Sequence, residues 1–80
     1  MQYIIRPLLP GSQAPYKQAS AAWNRAQKLS EQKNDGTPVR VVAQELVEGS
    51  PVERGFAEFI GGRLNDVAGV LEAEYRKRNR

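Results

Sequence analysis

The 80-residue chain has no cysteine and no histidine. Without thiols there is no disulfide to brace the fold and no thiolate to attack a substrate, and with imidazole missing too the usual zinc ligand sets are closed. The commonest general base at neutral pH is absent for the same reason. Hydroxyls remain at Ser12, Ser20, Ser30, Ser50 and Thr37, but these positions read as caps, turns and a helix with no base beside them. Long apolar runs are lacking as well: none approaches the roughly 20 residues needed to cross a bilayer, and the leading MQYIIRPLLPG is too short for a signal peptide's apolar core. The expectation is a cytoplasmic protein that is no enzyme, holds no cofactor and enters no membrane. Large aromatics are few, with one Trp, two Phe and three Tyr. At this length folding withdraws only about 60 to 65% of the unfolded chain's surface from water, so a thin core must rest on a handful of side chains.

What is present is charge, unevenly spread. Residues 1–40 hold six basic and two acidic side chains, residues 41–75 two basic and seven acidic, and residues 76–80 four basic. The total of +3 therefore sits in one short tail, and the chain without it is −1. An excess so placed is weaker support for nucleic-acid binding than a basic face would be. The carboxylates Glu45, Glu53 and Glu58 could meet around a divalent cation, but Glu45 is expected opposite Arg54 and Glu53 on the other face, so no metal site is assigned. The glycines of GFAEFIGG do not have the spacing of a phosphate-cradling loop.

The pattern predicts one small α+β domain spanning residues 1–80, of order β-α-β-β-α, with a short antiparallel sheet packed on helices. QYIIR at residues 2–6 is a strand stopped by Pro7 and Pro10, and PGSQAP is a loop. From Tyr16 the period becomes helical, with Ala19, Ala22, Trp23, Ala26 and Leu29 on one arc. NDG and Pro38 end that helix, and PVRVVAQELV is a β-branched strand. Residues 63–78, RLNDVAGVLEAEYRKR, return to helical spacing through Leu64, Val67, Ala68, Leu71 and Tyr75, with Glu72–Arg76 and Glu74–Arg78 as acid-first pairs four apart.

EGSPVERGFAEFIGG, residues 48–62, admits two readings. As a helix it is capped by Ser50, Pro51 and Glu53, with Gly55 in its interior at a cost of about 0.5 to 1 kcal/mol. As a hairpin it loops at residues 48–51, looser than two residues because Pro51 cannot close a Gly49-Ser50 turn. Paired positions then sum to 99: Val47 meets Val52, Glu45 meets Arg54, Ala43 meets Phe56 and Val39 meets Ile60. The complementary pairs favour the hairpin. In this register Val39, Val41, Ala43, Val47, Val52, Phe56 and Ile60 face the core, and Val42, Leu46, Ala57 and Phe59 face outward.

Three features point towards function. Trp23, at the centre of the alanine arc, is read as core filler, with ligand stacking as the alternative. The tail RKRNR is read as a frayed end whose cations complement the last helix dipole, with nucleic-acid contact as the alternative. The outer hairpin face forms a partner-binding set of Arg40, Val42, Leu46, Glu53 and Phe59, suited to a protein, a ribonucleoprotein complex or a second copy of the chain.

The layout of short first strand, alanine-rich helix, GTPVRVV strand and glycine-flanked arm resembles small accessory proteins of phages and mobile elements, anti-CRISPR proteins among them. That resemblance implies an inhibitor that works by occupying a surface of a host complex. The rival reading needs residues 50–61 to be helical. VRVVAQ, that helix, the GGRLND turn and a final helix are then similar in order to the ribbon-helix-helix DNA-binding proteins. This implies Arg40, Val42 and Gln44 in a major groove, with Lys17, Arg25, Lys28, Arg76, Lys77, Arg78 and Arg80 as the basic contacts.

Overall fold

A computed structural model describes residues 1–7, 15–33 and 35–79. Most of the expected loop at residues 10–15, and Arg80 of the basic set, lie outside the described residues. The elements are β1 (Gln2–Arg6), α1 (Ala19–Gln32), β2 (Val39–Val47), β3 (Ser50–Ile60), β4 (Arg63–Gly69) and α2 (Leu71–Arg78). The strands form one antiparallel sheet in the order β1-β2-β3-β4, with α1 linking its first two strands. The α+β class is as the sequence predicts, with one strand more.

The helices cover one face of the sheet. Ala22, Trp23, Ala26 and Leu29 of α1 pack on Ile5, Val39, Val41, Ala43, Ala57 and Phe59, and Leu71 of α2 joins the same cluster. Trp23 meets Phe59 edge to face with ring centroids 5.1 Å apart, so the expected role of Trp23 as core filler is what is seen. The buried Ser30 hydroxyl donates to the Gln27 carbonyl and accepts the Gly62 N–H, while the Gln27 amide donates to the Gly62 carbonyl. Two side chains of α1 thereby clamp the β3–β4 turn to the helix.

Residues 50–60 are strand, which decides between the two readings of the opening of β3. The register differs from the expected one, however. The turn is Glu48-Gly49, with φ of 52° and 81°, the doubly positive geometry that matches strand twist in a two-residue hairpin. Ser50 therefore faces Val47, and the Pro51 that argued for a looser loop sits beyond the turn, opposite Leu46. Near the turn paired positions sum to 97, and after a bulge that leaves Arg54 without a partner they sum to 98, as in Val39 opposite Phe59. A net slip of one residue from the expected 99 reverses the faces of β3. Ala57 and Phe59 thus enter the core, and Phe56 and Ile60 turn outward, half-buried. Val47 and Val52, expected inside, lie in the end of the hairpin beyond the helices' cover, with Val47 39% exposed.

Residues 63–69 are a strand rather than the first half of a helix. Gly61-Gly62 makes a second two-residue turn with both φ positive, pairing Ile60 with Arg63. Leu64 then faces Phe59 and Val67 faces Ala57, with Asn65 bulged between. With strands at both positions, the strand-helix-helix order behind the ribbon-helix-helix resemblance is not formed. Arg76, Lys77 and Arg78, expected to fray, are the last turn of α2.

Candidate partner-binding surface

No helix or further strand among the described residues covers the sheet face away from α1 and α2. Its central row runs across all four strands as Ile4, Val42, Phe56 and Ala68, which the pairing places side by side. Val42 is nonetheless only 3% exposed. Arg6 of β1 and Glu53 of β3 approach to 3.9 Å, and since these strands flank β2, their ion pair passes over it. Next to it the Arg40 guanidinium lies 4.3 Å from the Phe56 ring centroid and pairs with Glu58 at 3.1 Å. The apolar row is therefore roofed by arginine stems and their carboxylates. Glu58 also accepts a 2.7 Å bond from the Asn65 amide. This bond and the Arg40 guanidinium hold its carboxyl below the usual glutamate range, against the opposing effect of burial.

Four of the five residues expected to bind a partner share this side of the hairpin: Arg40, Val42, Leu46 and Glu53. Phe59 does not, being fully buried against Trp23, and Phe56 holds the outward aromatic position instead. Arg6, also missed in the sequence, reaches Glu53 only because β1 lies beside β2.

The end of the hairpin extends past its neighbours. Pairing of β1 with β2 begins at Gln2–Gln44, and pairing of β4 with β3 reaches only Gly55. Leu46 and Val47 stand beyond both limits, 61% and 39% exposed. Beside them a cleft of about 510 Å³ is lined by Met1, Gln2, Lys17, Gln44, Glu45 and Leu46. Of the basic residues named for nucleic acid, Lys17 lines this cleft and precedes α1, which carries Arg25 and Lys28.

At the other end Arg78 is not a free cation. It pairs with Glu74 at 2.8 Å, donates to the Ser20 carbonyl at 3.4 Å, and sits 5.2 Å from the Trp23 ring centroid. Arg76 approaches Glu72 at 3.9 Å, while Lys77 makes no ion pair among the described residues. A smaller cleft of about 310 Å³ there is lined by Trp23, Gln27, Phe59, Leu64, Tyr75, Arg78 and Asn79. With Trp23 buried and Arg78 beside it, no open ring face is offered for stacking.

Among the described residues no three acidic side chains come together as a metal site would require, and no helix is long and apolar enough to cross a membrane. Comparison with protein-family models, with curated proteins and with solved structures finds no match for this chain.

Proposed function

We propose that this protein performs no chemistry of its own and acts by seating its projecting hairpin and the sheet face away from the helices on a protein partner. The observation that supports this most directly is the exposure of Leu46 and Val47 at the end of a hairpin unflanked by neighbouring strands. In a domain this small such side chains are scarce, and placing two of them outside the core makes sense when a second surface covers them. The arginine–carboxylate pairs lying over the sheet face fit the same role, since charges beside an apolar contact set approach and register more than affinity. In its narrowest form the proposal is an inhibitor of a host defence complex, of the anti-CRISPR kind. Chain size and element order support that form.

The test is a paired capture from the source cell with wild type and a Leu46→Asp/Val47→Asp variant. The variant should keep its circular dichroism spectrum and melting temperature and lose the captured partner. Equal recovery of the same partner by a folded variant rejects the surface. For the narrower form, protection of an infecting phage from the host defence system should vanish with the same variant, and wild type that gives no protection rejects it.

A further inference from the structure

We infer that Asp66 keeps the outer edge of β4 closed to strand addition, so that the chain does not join edge to edge with a second copy. This is independent of the docking role of the hairpin.

The peptide groups of an antiparallel strand point alternately to its two sides. In β4 their directions are fixed from the end that meets α2, where the Val70 N–H bonds the Arg54 carbonyl at 3.0 Å. The Phe56–Ala68 pair lies two steps back along that ladder, so the peptide groups of Ala68 face β3 and those of Val67 and Gly69 face away from it. The Gly61-Gly62 turn gives the same answer from the other end. A two-residue turn closes on a bonded pair, here Ile60–Arg63, and with Asn65 bulged the alternation again turns Asp66 towards β3 and Val67 outward.

An outward N–H with an outward C=O two residues away is the pattern that an extended segment of another chain recognises. On β4 the donor is already engaged. The exposed Asp66 carboxylate accepts the Val67 N–H at 2.9 Å. An incoming carbonyl oxygen would have to displace that carboxylate oxygen while facing its negative charge. The bulge at Asn65 interrupts the edge on one side of this bond, and the turn at Gly69, with φ of 66°, ends it on the other.

Two further stretches of edge are closed by other means. On β1 the Tyr3 N–H and C=O are both bonded to Tyr16, at 2.9 and 2.8 Å. On β3, beyond the reach of β4, the Glu48-Gly49 turn closes on the Val47–Ser50 pair, so the next position, Pro51, faces outward, and proline has no N–H to offer. These two closures are built into the backbone. The one on β4 hangs on a single side chain, which makes it removable.

The test compares the full chain with Asp66→Ala, Asp66→Thr and Asp66→Asn from micromolar to millimolar concentration. Sedimentation measures association, amide hydrogen exchange locates it, and circular dichroism confirms the fold. Alanine has no side-chain oxygen, and the threonine hydroxyl lies too near the backbone to bond the following N–H. Both variants should associate at least tenfold more tightly than wild type, with protection of the Val67 and Gly69 amides rising as concentration rises. Asparagine keeps a carbonyl that accepts the Val67 N–H, so Asp66→Asn should associate less than either. The threonine variant, with its higher strand propensity, keeps the comparison readable if alanine weakens the fold. Folded variants that stay monomeric to millimolar concentration overturn the inference, and so does association that leaves Val67 and Gly69 unprotected. Wild type that gains the same protection with concentration also overturns it. Asp66→Asn associating as tightly as Asp66→Ala rejects the hydrogen bond as the guard.

Discussion

At the scale of single residues, two phenylalanines three positions apart have opposite fates. Phe59 is fully buried and edge-on to Trp23, and Phe56 is half-buried beneath Arg40. Truncating a fully buried aromatic removes its transfer free energy and leaves a cavity, so Phe59→Ala should cost about 3 to 5 kcal/mol, much of the stability of a domain this size. Phe59→Asp should abolish folding, because an unpaired carboxylate would replace the ring. Phe56→Ala should cost less than half as much as Phe59→Ala, and urea denaturation of the three variants gives the ranking. Glu58 makes a second residue-scale case. Its depressed folded pKa means that the stabilisation by Asn65 and Arg40 is present above the unfolded value, ordinarily 4.5, and is lost as pH falls through the lower folded value. Wild type should therefore melt above Glu58→Gln at neutral pH. The difference should shrink to nothing under acid, below the ordinary glutamate range, as followed by thermal melts across pH.

At the scale of elements, the bulge at Arg54 organises more than its own strand. On its other edge the Arg54 carbonyl accepts the Val70 N–H at 3.0 Å, one step beyond the Gly55–Gly69 pair of the β3–β4 ladder and at the junction where β4 gives way to α2. Gly55 and Gly69 are paired there at very close range. A Cβ on Gly69, whose φ is +66°, would lie 2.7 Å from the Gly55 Cα and collide with the Arg54 carbonyl, and a Cβ on Gly55 would lie 2.6 Å from the Ala68 carbonyl oxygen. These neighbours are backbone and cannot swing aside. Gly69→Ala should thus destabilise by about 2 kcal/mol or more, combining a disfavoured φ with a steric clash. Hydrogen exchange should show lost protection in β4 and α2 ahead of β2. Uniform exchange throughout the sheet would contradict a junction built on that contact. The helix-period apolar spacing of residues 63–71 gave no hint of this junction, because Leu64, Val67, Ala68 and Leu71 also satisfy a strand interrupted by a bulge at Asn65 and followed by a helix.

At the scale of the whole molecule, a sheet with both helices on one side divides the charges by layer. The sheet and its turns carry Arg6, Arg40, Arg54 and Arg63 against five acids, and three of those arginines are ion-paired across strands. The helices carry Arg25, Lys28, Arg76, Lys77 and Arg78, yet Arg78 is spent on fastening α2 to α1 through Glu74, Ser20 and Trp23. Deleting residues 76–80 should consequently cost stability and not merely charge. Loss of the ion pair and the guanidinium–indole contact is worth about 1 kcal/mol, or a fall of roughly 4 to 8 °C in Tm for a domain of this length. A truncated protein that melts with wild type would return the tail to the status of a frayed end.

Much was legible in the sequence where the information is local. The α1 arc around Trp23, the β-branched run of β2 and the existence of a hairpin after Val47 each follow from side-chain period and turn residues within one or two adjoining segments. The face of β3 was not legible, since alternation has a period of two and one unpaired residue at Arg54 exchanges inside for outside along the rest of the strand. Nor was β4, whose apolar spacing fits either state until β3 offers it a ladder and α1 clamps its turn through Ser30 and Gln27. The outer-face set shows the same division: Arg40, Val42, Leu46 and Glu53 share one side of the hairpin as expected, because the register near the turn preserves the side of Glu53. Phe59 was misplaced, and Phe56 and Arg6 were missed, because their positions depend on a bulge and on a neighbouring strand, and only the assembled sheet contains either.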